Sequence, residues 1–209
     1  PVRVDLHVMS KCPFGVQVEN TLAGVRETLG AAVDVNIEFI GRVDTAGEFQ
    51  SLHGKTEVTG NLFQVCAEKH AAKWYDALVC QNKDMKQVDT NWDSCAAQVG
   101  VPAKEISAVD LCAAGQEGKD LLTASFAASS AVKATGSPTI YINGTQYQGG
   151  RTVGDFTRKI CAEFPATARP PECDNIPAPV AVDVQILTDA RCTECKPDAI
   201  KRAINQKFA

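Results

Sequence analysis

Apolar and polar residues alternate at the start of the chain. Val2, Val4, Leu6 and Val8 are separated by Arg3, Asp5 and His7, and a period of two predicts a strand with His7 on the solvent side. The period then changes. Phe14, Val18, Leu22, Val25 and Leu29 recur every three or four residues, which describes one face of an amphipathic helix. Pro13 suits the first helical position, where no N–H is needed, and Gly30 suits the stop. Val33, Val35, Ile37 and Phe39 resume the alternation as a second strand. From Glu57 to Val132 the chain is rich in alanine and other helix formers, so this block is predicted to be mostly helical. Asn143-Gly144 then separates Thr139–Ile142 from Thr145–Tyr147, a strong two-residue hairpin signal. Val153 to Phe164 predicts a closing helix.

Strand, helix, strand, helical block, hairpin and helix is the order of an α/β thioredoxin-like fold with a helical insertion. The expected domain covers residues 1–164, with the insertion at about 57–132. Five of the ten prolines fall at 165, 170, 171, 177 and 179, so 165–179 reads as a proline-rich linker. Beyond it Val180, Val182, Val184 and Ile186 alternate again, and Cys192-Thr193-Glu194-Cys195 follows. This repeats the layout around Cys12 and predicts a partial second thioredoxin-like unit at 180–209.

Composition narrows the function classes. Nine cysteines in 209 residues favour an oxidising, extracytoplasmic setting: periplasmic, secreted or lysosome-like. The odd count leaves at least one sulfur free or paired outside the chain. A net charge of −4 argues against a nucleic-acid surface. No run of about 18 apolar residues predicts a membrane span. No signal peptide is visible, and Pro1 implies that residues ahead of it were removed. No phosphate-cradling glycine loop, nucleophile elbow or close metal-ligand set is present, so no cofactor and no metal are expected.

Cys12 carries the candidate chemistry. At the head of a helix it meets unpaired N–H groups and the positive end of the dipole, which favour the nucleophilic thiolate. Lys11 next to it would add positive charge, and Pro13 opens the helix. Ser137-Pro138 precedes the hairpin strand, where thioredoxin-like folds place a cis-proline facing the reactive sulfur. A dithiol Cys-x-x-Cys would put its second sulfur at residue 15, and Gly15 stands there. Cys12 is therefore expected to form mixed disulfides that an outside thiol or redox partner resolves, with protein thiols or disulfides as substrates. Cys192 and Cys195 form a second redox-motif candidate; a structural disulfide and a metal half-site are the alternatives. His53 is a candidate to tune Cys12 or to recognise substrate, the alternative being a hydrogen bond to backbone near a turn.

His53, Gly54, Glu57, Asn61 and Cys66 fit the signature Cys-Gln-His-Gly-x-x-Glu-Cys-x-x-Asn-x-x-x-x-Cys, while Ser51, Leu52 and Val58 depart from it. On these residues the chain resembles the gamma-interferon-inducible lysosomal thiol reductases. Trp92–Cys95, Leu111–Ala113, Gly115–Gly118, Ser137–Gly144 and Ile160–Cys173 are similar to the same family, and the chain also resembles bacterial DsbA-like proteins. The resemblance covers about residues 2–173. It implies a thioredoxin-like fold, thiol–disulfide chemistry with Cys12 as nucleophile, and a Cys95–Cys112 bridge. Position in the chain predicts Cys161–Cys173, elimination predicts Cys66–Cys80, and Cys12 is left as the odd thiol. Thiol–disulfide oxidoreductase or isomerase is the leading reading. The others are a non-catalytic binding module on the same scaffold, and a monothiol glutaredoxin-like carrier of glutathione or an iron–sulfur cluster.

Overall fold

The computed structural model describes residues 1–176 and, beyond them, Asp198 and Ile200. Cys192, Cys195 and the unit expected at 180–209 thus lie outside the described residues, those two positions apart.

The opening alternation forms β1 (Val2–Val8) and β2 (Val33–Phe39), joined through α1 (Pro13–Leu29). The two strands run parallel, with Val2 opposite Val33 and Val8 opposite Phe39, as a crossover helix requires. Gly30 ends α1 at φ 52°. A small antiparallel pair follows, β3 (Arg42–Val43) with β4 (Phe49–Gln50). Five helices come next: α2 (Lys55–His70), α3 (Trp74–Gln81), α4 (Trp92–Gln98), α5 (Ala103–Ala114) and α6 (Gln116–Ala131). The chain then re-enters the sheet as β5 (Thr139–Ile142), turns at Asn143-Gly144 into β6 (Thr145–Gln146) and closes with α7 (Val153–Ala162). The sheet order is β2-β1-β5-β6, with β5 antiparallel to β1. Thr152 and Asp155 start α7 with a reciprocal capping box, satisfying N–H groups that a helix start leaves open.

Val4, Leu6 and Val8 of β1 join Val18, Leu22 and Val25 of α1, Ile37 and Phe39 of β2, and Phe156 and Ile160 of α7 in one buried core. Each such side chain contributes about 1.5–3 kcal/mol on burial. α6 packs on β2 and sets Ser129 2.9 Å from His7 Nδ1. This corrects the solvent-side expectation for His7, which is 3% exposed. A period of two says that a face exists, but not that a distant helix will cover it. Burial holds the His7 imidazole below its ordinary range, against the opposing pull of Glu38 and Asp5.

Two of the expected disulfides are also corrected. Cys66 pairs with Cys112, and Cys80 pairs with Cys95, in place of Cys66–Cys80 and Cys95–Cys112. The reason is helix packing: α2 lies along α5 and α3 along α4. Each bridge therefore joins the partner across an interface, with Cα atoms 5.8 and 5.4 Å apart. Spacing along the chain measures loop length and is blind to which helix faces which. Cys161 bonds Cys173, and with Ile176, which packs on the core, it draws the described part of the proline-rich stretch onto the domain.

In the chain-entropy account the 46-residue Cys66–Cys112 loop is worth about 4 kcal/mol and the 15-residue Cys80–Cys95 loop about 3 kcal/mol. Non-reducing peptide mapping is expected to return these pairs, and urea unfolding should find the Cys66→Ser/Cys112→Ser variant the weaker of the two double variants.

Glu19 on α1 is entirely buried, and Asn82 Nδ2 donates to its carboxylate at 2.7 Å. Burial pushes this carboxyl up from 4.5 to about 7, with the Asn82 hydrogen bond opposing. Between those values the folded chain keeps a proton that the unfolded chain has released. The stability due to this proton is therefore complete below about 4.5 and is lost as pH rises through about 7. Measured against Glu19→Gln in urea, the wild type should lose about 3 kcal/mol between about pH 4.5 and about pH 8; a pH-independent difference would contradict the assignment.

Candidate active site

The corner between β1 and α1 is built by two backbone turns. The Cys12 N–H donates to the Met9 carbonyl at 2.9 Å, and the Cys12 carbonyl accepts from Val16 N–H at 3.0 Å. Cys12 is the N-cap of α1, in extended backbone geometry, with no side-chain cap. Pro13 follows at the first helical position. The first turn of a helix leaves N–H groups without intrahelical partners, and their partial positive charge faces whatever sits at the cap. Among the described residues Cys12 is the free cysteine. It is 9% exposed, beside a Phe14 side chain that is 63% exposed.

The second wall comes from the far end of the sequence. The Ser137–Pro138 peptide is cis, and the Cys12 thiol donates to the Ser137 carbonyl at 3.5 Å. Ser137 Oγ accepts from Met9 N–H at 3.0 Å. Together with the Cys12-to-Met9 bond, these contacts close a ring through Met9, Cys12 and Ser137. Gly15 is buried beneath it.

Lys11 and His53 lie close to this corner, but their side chains point to other tasks. Lys11 Nζ donates to Thr56 Oγ1 at 2.8 Å, and the Lys11 N–H donates to Glu57 Oε2 at 2.9 Å. The same carboxylate oxygen lies 2.6 Å from His53 Nδ1. The other oxygen accepts from the His53 N–H at 3.2 Å and from the Ser51 hydroxyl. Glu57 is fully buried, so this set of donors takes the place of water around it. One turn further along α2, Asn61 Oδ1 accepts from Ser10 Oγ at 2.6 Å. Gly54 makes the tight entry into α2 with φ 85°, a conformation that suits glycine. The His53-Gly54-x-x-Glu57 and Asn61 pattern therefore clamps the Ser10–Cys12 loop onto α2.

Cys12, Pro13, Ser137 and Pro138 are brought together at the corner. Along the chain Glu57 and Asn61 stand out only as signature positions and Ser51 as a departure from the signature, and Ser10 carries no motif; their contacts with the Cys12 loop are visible only in the fold. The available signal was an acid and an amide four residues apart at the start of a helix, an acid three residues past the cap being a usual capping position.

A buried thiol at a helix start thus faces the residue before a cis-proline, on a thioredoxin-like fold. Residues 3–99 match the model of a family described as Gamma interferon inducible lysosomal thiol reductase (GILT), a stretch that includes Cys12 and the Glu57 clamp. The fold is similar to reduced DsbA from Mycobacterium tuberculosis, with a TM-score of 0.58 at 16% identity over 83% of this chain and 86% of that one. It is similar to reduced DsbG, a disulfide bond oxidoreductase of the same organism, with a TM-score of 0.56 at 15% identity over 83% and 81%. The cytosolic disulfide reductase DsbM from Pseudomonas aeruginosa matches with a TM-score of 0.52 at 14% identity over 69% and 87%. No curated protein matches the chain.

Removing the Glu57 carboxylate strands several donors at once, each costing about 1–3 kcal/mol where buried. Glu57→Ala is expected to lower stability by about 3 kcal/mol or more and to speed hydrogen exchange at the Lys11 amide. Unchanged protection at Lys11 would mean that the clamp does not hold the loop.

Proposed function

We propose that the chain is a thiol–disulfide oxidoreductase or isomerase that works through the single thiol of Cys12. The observation that carries this reading is the seat of Cys12, the N-cap of α1 held against the Ser137 carbonyl, with Gly15 where a second thiol would be. In the first step the Cys12 thiolate attacks one sulfur of a substrate disulfide. A Cys12–substrate disulfide forms, and the other substrate sulfur leaves as thiolate and takes a proton. In the second step another thiolate attacks the substrate sulfur of the mixed disulfide, bonds to it and expels Cys12 as thiolate. When the attacker is an outside thiol, the substrate leaves bonded to it. When it is a free cysteine of the same substrate, the substrate's own bridges are rearranged. Electrons balance in each exchange, and no cofactor takes part.

Substrates of this reading are protein disulfides. The exposed Phe14 beside Cys12 and the exposed Leu52 next to His53 offer apolar contact to an unfolded polypeptide. The resolving partner is a small thiol or a separate redox protein. Three disulfides within the described residues support an oxidising, extracytoplasmic compartment.

A non-catalytic binding module is the second reading, favoured by Gly15 and by the low exposure of Cys12. Scrambled ribonuclease reactivation and insulin reduction in a glutathione buffer separate the two. The wild type is expected to accelerate at least one assay, and Cys12→Ser is expected to fall to the uncatalysed rate. Equal rates for both proteins would leave the binding module standing.

A further inference from the structure

The absence of a second thiol at residue 15 has a partner across the corner. A Cβ placed on Gly15 would lie 2.7 Å from Ser137 Oγ and 3.3 Å from Val8 Cβ and Cγ1. The Val8 contacts are relieved by a few tenths of an ångström. The contact to Ser137 is harder to relieve, because that hydroxyl accepts the Met9 N–H at 3.0 Å. Rotating it away leaves the Met9 amide without its partner, next to the very loop that carries Cys12. The Ser137 carbonyl, meanwhile, holds the Cys12 thiol.

We propose that the Ser137 hydroxyl occupies the space that a side chain at residue 15 needs, so that residues 15 and 137 together deny Cys12 a resolving thiol one turn behind it. Restoring a cysteine at residue 15 does not by itself restore a working dithiol. The side chain has to displace Ser137 Oγ before its sulfur reaches Cys12. Ser137 is thus a positioning residue: it holds the corner in a form that excludes a side chain at residue 15, and with it a local disulfide between residues 12 and 15. This rests on the reading of Cys12 as the working thiol, although the steric part stands without it.

The steric part is tested by a stability cycle on the full chain, with wild type, Gly15→Ala, Ser137→Ala and the double variant unfolded in urea. Gly15→Ala is expected to lower the folded-to-unfolded ratio, and the loss should shrink by roughly tenfold in the Ser137→Ala background. Should Gly15→Ala fail to fold, recovery of folding in the double variant supports the proposal and continued failure overturns it. Additive effects also overturn it.

The redox part uses Gly15→Cys with and without Ser137→Ala, equilibrated with oxidised glutathione and mapped by mass spectrometry. Cys12 first takes up one glutathionyl group and releases one reduced glutathione. In the double variant the thiolate introduced at residue 15 then attacks the Cys12 sulfur, forms the local bridge and releases the second glutathione. Gly15→Cys alone is expected to retain the glutathionyl group on Cys12. A bridge between Cys12 and the introduced thiol formed as fully in the single variant overturns the proposal. If glutathione reacts with Cys12 in no variant, the reading of Cys12 as the working thiol fails, and the stability cycle still decides the role of Ser137.

Discussion

The site depends on one buried carboxylate. Glu57 has no exposure to solvent, and a charge taken out of water has to be answered by hydrogen bonds in the protein. Here the answer comes from two segments at once. The Lys11 amide arrives from the β1–α1 corner, while the Ser51 hydroxyl and the amide and Nδ1 of His53 arrive from the loop before α2. Satisfying the carboxylate therefore pulls the Cys12 loop onto the first turn of α2. Asn61, four residues on, fastens Ser10 in the same way. Without this constraint the corner is an ordinary strand-to-helix turn.

The helical insertion thus has a direct part in the site. α2 carries Glu57, Asn61 and Cys66, and Cys66 ties it to α5 through Cys112. The bridge between α3 and α4 holds a second pair of insertion helices. From the opposite side β5 is fixed by pairing with β1, which sets Ser137 just ahead of it against Met9 and Cys12. The thiol is held between a disulfide-braced helix and a central strand. Such a rigid seat suits the in-line disulfide attack proposed for Cys12.

Much of this was legible along the chain because it is local. The strands show their period of two, α1 its period near four, and the hairpin its Asn143-Gly144 turn; each depends on residues within a few positions. The Cys12 corner was legible for the same reason, since a proline after a cysteine at the start of an apolar helical face marks a helix cap. Ser137-Pro138 could be placed because the hairpin that follows it is itself a local signal. The assignments that failed were those that need to know which helix meets which. His7 alternates with apolar neighbours in a way that reads as solvent-facing, and yet it is covered by Ser129 of α6. Four insertion cysteines allow three pairings, and the packing of α2 on α5 and α3 on α4 selects one.

By itself, then, the sequence determined the order of elements, the thioredoxin-like topology that follows from that order, and the place of Cys12 at the head of α1. It also determined that no second thiol stands one turn behind it. Only the tertiary structure decided that Lys11 and His53 turn to Thr56 and Glu57, and that a serine more than a hundred residues away meets the space above Gly15. The physical reason is the range of the forces involved. Backbone geometry and side-chain periodicity act within a turn or a strand. Burial, by contrast, forces distant polar groups to find one another, and those partners exist only once the chain has closed around them.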